Sequence, residues 1–209
     1  MPHSFKRFVM CIALLLALPS CSAIGVAAGA GAALGVAAAK EGGLSTAAGD
    51  LRIKARISDL WFKYDVMTFA KLNVTVEQGR ALLTGIVQNP DHRVEAVRLA
   101  WQVEGVKQVI NEIRVAQGEG FSGIVRDEWI TARLRTALLF DRDVQSINYS
   151  IDTVAGVVYL MGVCQSKAEL DRAMDVARTI PHVKQVVSYV KQAGQPVPTP
   201  AATPKDDAR

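Results

Sequence analysis

The stretch Asp50-Leu51-Arg52-Ile53-Lys54-Ala55-Arg56 returns 77 residues later as Asp127-Glu128-Trp129-Ile130-Thr131-Ala132-Arg133. The Asp, the Ile, the Ala and the final Arg keep their places. Ile53, Ile57 and Leu60, matched by Ile130, Leu134 and Ala137, fall on one face of a helix. The same offset carries Gly79-Arg80-Ala81-Leu82-Leu83-Thr84-Gly85 onto Gly156-Val157-Val158-Tyr159-Leu160-Met161-Gly162, and Val106-Lys107-Gln108-Val109 onto Val183-Lys184-Gln185-Val186. No gap is needed between these blocks, so the chain holds two copies of one small domain.

Within each copy the order of elements reads αββαβ. Leu72 to Val76 alternates as a strand does, and Gly79 supplies a turn into a second strand, residues 81–86. Asn89-Pro90 is a helix start with Pro at the first position, and Ser166 to Glu169 spells a capping box. The buried side of this second helix is Ala96, Leu99, Ala100 and Val103, and in the second copy Ala173, Val176, Ala177 and Ile180. Gly105 and Pro181 stop the two helices, and Val106–Val115 and Val183–Val190 close the units. The class is therefore α+β, with tandem domains at residues 50–117 and 124–193. Gly118, Gly120 and Gly123 mark a linker across residues 116–123. Residues 194–209, with four prolines and no apolar period, read as a disordered tail.

The N-terminus reads as a targeting segment. Lys6 and Arg7 precede an apolar run, Phe8 to Leu18, of signal-peptide length. Leu18-Pro19-Ser20-Cys21 resembles the lipobox of bacterial lipoproteins, although Pro19 departs from the usual small residue. That resemblance implies a lipoprotein signal peptide at residues 1–20 and a lipidated, palmitate-bearing Cys21 as the first mature residue. Ser22 in place of Asp favours the outer membrane. Residues 21–49 follow as a Gly/Ala-rich tether. Gly25-x-x-x-Gly29 and Gly31-x-x-x-Gly35 have the small-residue spacing that lets membrane helices approach. An uncleaved anchor is thus the second reading, beside a tether that Gly makes poorly helical in water.

The repeated motifs carry a family resemblance. Asp-x-x-Ile-x-Ala-Arg, then Gly-x-x-x-Leu-x-Gly, then a helix leading to Val-Lys-Gln-Val, resembles the BON domain over residues 50–193. A lipobox followed by two such domains is similar to the dual-BON lipoproteins of Gram-negative envelopes. The resemblance implies attachment to the periplasmic face of the outer membrane, phospholipid binding and a role in envelope integrity. One departure is His182 at the position of Gly105, which bears on the turn from helix to strand.

Composition narrows the function classes. The net charge is +4, falling to +2 from residue 21 onward, and aromatics are 6%. That is too little of either for a nucleic-acid surface. Three cysteines and three histidines leave little material for a disulfide framework, a metal site or a catalytic site. His92 and His182 are not repeated between copies. Cys164 takes the place of Val87 and reads as a small buried thiol. There is no C-x-x-C, G-x-S-x-G or P-loop. Gly120-Phe121-Ser122-Gly123 has the spacing of a KH clamp but lies in the linker. No catalytic residue, metal or cofactor is expected.

The first helices differ on their outer faces. At about 100° per residue with Ile130 at zero, Trp129, Arg133, Thr136 and Phe140 fall at about 260°, 300°, 240° and 280°. They form one stripe beside the core face. Rings among headgroups and a guanidinium on phosphate suit a membrane interface. With Arg135 added for charge, these are the candidate phospholipid-binding residues: Trp129, Arg133, Arg135, Thr136 and Phe140. The other reading places Trp129 and Phe140 between the two domains or against a loop. The first copy carries Arg52, Arg56, Asp59 and Lys63 at the same stripe, with no aromatic. Trp61 and Phe62, opposite Leu138 and Leu139, read as core or inter-domain packing. Trp101 reads as partly exposed. The expected partner is an anionic phospholipid membrane, with other envelope proteins the partners if the chain is instead a periplasmic assembly module.

Overall fold

The computed structural model describes residue 40, residues 42–116 and residues 121–197, the side chains of residues 121 and 122 excepted. The signal peptide, Cys21, the tether up to residue 39, residues 117–120 and the tail beyond residue 197 lie outside the described residues.

The first copy runs α1 (Gly43–Phe69), β1 (Leu72–Glu77), β2 (Arg80–Val87), α2 (Pro90–Trp101) and β3 (Gln108–Val115). The second runs α3 (Phe121–Phe140), β4 (Tyr149–Val154), β5 (Val157–Cys164), α4 (Lys167–Thr179) and β6 (Gln185–Gln192). Both first helices start earlier than the sequence suggests. α1 begins inside the Gly/Ala segment, and α3 begins inside the linker. Extending a formed helix fixes few new dihedrals per hydrogen bond, so the alanines and Thr46 join a helix that Asp50 to Leu60 nucleates. Lys40 holds that end down by donating to Glu77 Oε1 at 2.5 Å. α1 breaks at Asp65, whose backbone is extended (φ −160°, ψ 98°). The Asp65 carboxylate accepts from Met67 N and Thr68 N at 3.0 and 3.2 Å and so caps a final turn.

Each copy forms a three-stranded sheet with the second strand in the centre. β2 pairs antiparallel to β1 and parallel to β3, with α2 as the crossover, and β5 does the same between β4 and β6. The register repeats with the sequence offset. Leu72 faces Gly85 as Tyr149 faces Gly162, and Arg80 faces Gln108 as Val157 faces Gln185. The αββαβ expectation holds in both copies.

The repeated motifs now acquire reasons. Asp50 accepts from Gln78 N and Gly79 N at 2.7 and 2.8 Å, one bond to each carboxylate oxygen. Asp127 makes the same pair with Ala155 N and Gly156 N at 2.6 and 2.9 Å. The first helix thus clamps the tip of its own hairpin. Each tip is a two-residue turn with both central residues at positive φ: 57° and 80° in the first copy, 52° and 80° in the second. The hairpin then receives the closing strand, since Lys107 N and Lys184 N each donate to the turn glycine's carbonyl at 2.8 Å. The last glycine of Gly-x-x-x-Leu-x-Gly is a close-approach position. A Cβ on Gly85 would sit 2.3 Å from Lys71 O, and one on Gly162 would sit 1.9 Å from Asn148 O. At the departure, the turn is kept. Gly105 has φ 93° and His182 has φ 70°, so the histidine takes up a left-handed backbone that favours glycine.

Burial is organised in three cores. In the first copy Ile53, Ile57 and Trp61 of α1 pack with Leu83, Ala96 and Ala100. In the second, Ile130, Leu134 and Leu138 pack with Leu160, Ala173 and Ala177. The third core lies between the two sheets, where Leu82 and Ile110 meet Tyr159 and Met161. Successive side chains on a strand point to opposite faces. Ala81 and Leu83 therefore face the helices while Leu82 and Thr84 face the other sheet, and all four are buried. Polar groups that enter this inner layer are paired across it. Thr84 Oγ1 donates to Asp152, Tyr189 OH donates to Glu112, and Ser150 Oγ donates to Glu77 Oε1 at 2.7 Å. Burial, with Glu112 next in effect, pushes the Tyr159 phenol up to about 12.

Trp61 is core, and its Nε1 donates to Ala96 O at 3.1 Å. Phe62 is not: it faces solvent, because one residue further around the helix leaves the core side. Leu138 and Leu139 divide in the same way. Cys164 is buried and unpaired, as its valine counterpart suggests.

Candidate functional site

α3 turns Ile130 and Leu134 inward, and its outer face carries the aromatic stripe. Trp129 is 44% exposed and Phe140 is 79% exposed. Neither is packed between the domains. The Arg133 guanidinium sits 5.6 Å from the centre of the Trp129 ring. That cation–π contact orients the ring and leaves the charge at the surface. Trp129 also meets His182 edge-on, with ring centres 6.1 Å apart. Thr136 Oγ1 donates back to Ala132 O at 3.0 Å, so its hydroxyl hydrogen is already used.

These residues line a groove of about 660 Å³ between α3 and the end of α4. Thr179, Ile180 and Pro181 form its far wall. The structure thus brings together Trp129, Arg133, Thr136 and Phe140. It does not bring Arg135 to them. Arg135 is about 120° around the helix from Trp129, and it lines a separate cavity of about 390 Å³. Sequence reasoning also missed His182 and the Thr179–Pro181 wall. The signal for His182 was present: it is the residue that breaks the repeat at Gly105.

The matching face of α1 is a different surface. Asp59 holds both Arg56, at 3.4 Å, and Lys63, at 2.9 Å. Two cations share one carboxylate there, and none of the four stripe positions carries a ring. A cation beside exposed rings, as on α3, is suited to a surface that is anionic outside and apolar beneath.

Among the described residues no group of three His, Cys, Asp or Glu side chains could hold a metal ion. No helix among them is long and apolar enough to cross a membrane. Burial raises the Cys164 thiol above its ordinary range, with Glu169 adding to the effect. That direction disfavours the thiolate, the nucleophilic form.

A fold of two αββαβ units with these motifs defines a duplicated domain of one family. The BON domain matches residues 49–117 and again residues 126–194, and the chain belongs to the BON domain family. It is 41% identical over 143 residues to the uncharacterized protein in the gshII 5' region of Anaplasma centrale, spanning 68% of this chain and 93% of that one. It is 35% identical over 122 residues to the outer membrane lipoprotein DolP of Haemophilus influenzae, spanning 58% of this chain and 62% of that one. It is 31% identical over 144 residues to the osmotically-inducible protein Y of Escherichia coli, spanning 68% of this chain and 72% of that one.

Proposed function

We propose that the protein is a non-enzymatic, lipid-anchored envelope protein that binds anionic phospholipid through the outer face of its second BON domain. The observation that carries this reading is the exposed Trp129 and Phe140 flanking Arg133 on α3, over an open groove. Arg133 meets headgroup phosphate while the rings enter the interfacial layer. Each basic residue near an anionic surface contributes on the order of 1 kcal/mol. Such attraction is modest, so the lipid on Cys21 does much of the localising, at the periplasmic face of the outer membrane. The likeness to the Haemophilus influenzae relative, named as an outer membrane lipoprotein, supports the compartment.

The test is vesicle co-sedimentation of a fragment beginning at residue 40, with anionic vesicles at two salt concentrations. Trp129→Ala should weaken binding about tenfold, and Arg52→Ala much less. Charge attraction fades with salt, whereas the aromatic contribution should persist. If the parent fragment fails to bind vesicles, the groove is instead a protein interface and the chain an assembly module. Lipidation is tested separately by mass spectrometry of the mature N-terminus, where an unmodified start elsewhere rejects Cys21.

A further inference from the structure

The duplication leaves two cavities where the copies meet. Each is walled by the N-terminal half of one first helix and by the first strands of both copies. The cavity beside α3, about 660 Å³, carries the carboxylates of Asp127, Glu128 and Asp152 against Lys71 and His92. The cavity beside α1, about 390 Å³, carries three cations instead: Lys40, Lys54 and Arg135.

The two acids in the second of these cavities already accept hydrogen bonds. Both oxygens of Asp50 hold hairpin amides, and Glu77 Oε1 accepts from Lys40 Nζ and Ser150 Oγ. Burial raises the Asp50 carboxyl above its usual range, against those two amide bonds, which lower it. Lys54 and Arg135 have no carboxylate partner among the described residues. They come from different copies, and neither belongs to the repeat. The counterpart of Lys54 is Thr131, whose hydroxyl donates to Thr153 Oγ1 at 2.7 Å. The counterpart of Arg135 is Ser58. Thr46, Asn73 and Thr75 add hydroxyl and amide groups to the same wall.

We propose that this cavity binds a phosphate group between Lys54 and Arg135, with hydrogen bonds from Thr46, Asn73 and Thr75. A guanidinium offers a planar fork of N–H donors to two phosphate oxygens, and an ammonium adds a point charge. Both cations are exposed, so salt should weaken their attraction for an anion. The volume admits a phosphoester or a glycerophosphate headgroup. The phosphate can therefore belong to a soluble ester or to a lipid whose chains stay outside. Trp129 does not line this cavity, so the site stands apart from the groove on α3.

The experiment follows backbone amides of the full chain in neutral detergent micelles by NMR. The probes are inorganic phosphate and the water-soluble dihexanoyl phosphatidylglycerol. Both should shift Thr46, Asn73 and Ser150 saturably. Lys54→Gln and Arg135→Gln should each weaken this binding about tenfold, and Arg135→Lys should recover part of it. Trp129→Ala should leave it unchanged, which separates failure here from failure of the groove. Tighter binding of phosphatidylglycerol than of phosphate identifies a lipid headgroup, and equal binding identifies a soluble ester. Shifts that do not saturate, or that persist in both Gln variants, overturn the proposal.

Discussion

Trp61 and Leu138 occupy the same place in the two copies, and both are buried. Their neighbours Phe62 and Leu139 are exposed to nearly the same extent, 67% and 65%. One residue further, Lys63 stands where the second copy has Phe140, and the likeness ends. The inward faces of α1 and α3 each answer to the equivalent sheet of their own copy and stay apolar. The outward faces answer to nothing within the molecule, and one has become ion-paired while the other has become aromatic. The junction cavities diverge in the same sense, one acidic and one basic. What duplication preserved is the packing and the hairpin clamp; what it released is the chemistry of the surface.

The largest expected effects fall where the copies agree. Leu83 and Leu160 are equivalent and fully buried. Leu83→Ala and Leu160→Ala should each cost about 2–5 kcal/mol in urea denaturation. Because the layer between the sheets couples the copies, each variant should still unfold in one transition. Two separate transitions would show that the inner layer does not join them.

The clamp comes next. Asp50→Ala and Asp127→Ala each leave two hairpin amides without their acceptor, and should cost about 1–3 kcal/mol by the same measurement. The Asp50 variants should also carry a pH response, since burial raises the Asp50 carboxyl above its usual 3.8. A raised folded value means the folded state binds the proton more readily than the unfolded chain. That contribution is complete below 3.8 and is lost as pH rises through the higher folded value. Asp50→Asn should abolish this acid-side gain, and an unchanged profile would contradict the burial of Asp50.

The smallest effects should have opposite signs. Gly105→Ala places a Cβ at positive φ, 3.1 Å from Ile53 Cδ1, and should destabilise by about 1–2 kcal/mol. His182→Gly relieves the same backbone in the second copy and should stabilise by up to about 1 kcal/mol. It should also change Trp129 fluorescence, because the edge contact is lost. If both variants destabilise, the contact of His182 with Trp129 outweighs its backbone strain.

Most of the fold was legible in the sequence because a gapless repeat shows every element twice. Two copies of Gly-x-x-x-Leu-x-Gly and of the helix caps mark the same boundaries independently. The layer between the sheets was harder to see. Leu82 and Thr84, or Tyr159 and Met161, read on their own as the solvent side of an alternating strand, and a second sheet has to be supplied before they become core. The candidate groove was legible in part. Helical angles placed Trp129, Arg133, Thr136 and Phe140 together, since one helix carries them all. His182 and Pro181 come from another element, and no spacing along the chain brings them near. Arg135 shares only its charge with Arg133, and its helical angle already separates it from the stripe.

Among the described residues all strand pairing is confined within a copy, and the hydrogen bonds that cross between the copies join side chains. No backbone ladder therefore depends on the peptide that joins them. Cleavage between residues 117 and 120 should leave two pieces that remain associated, and the same pieces made separately should find one another and complement. Each piece alone would present Leu82 and Ile110, or Tyr159 and Met161, to water. The covalent connection serves mainly to keep the partner at high local concentration.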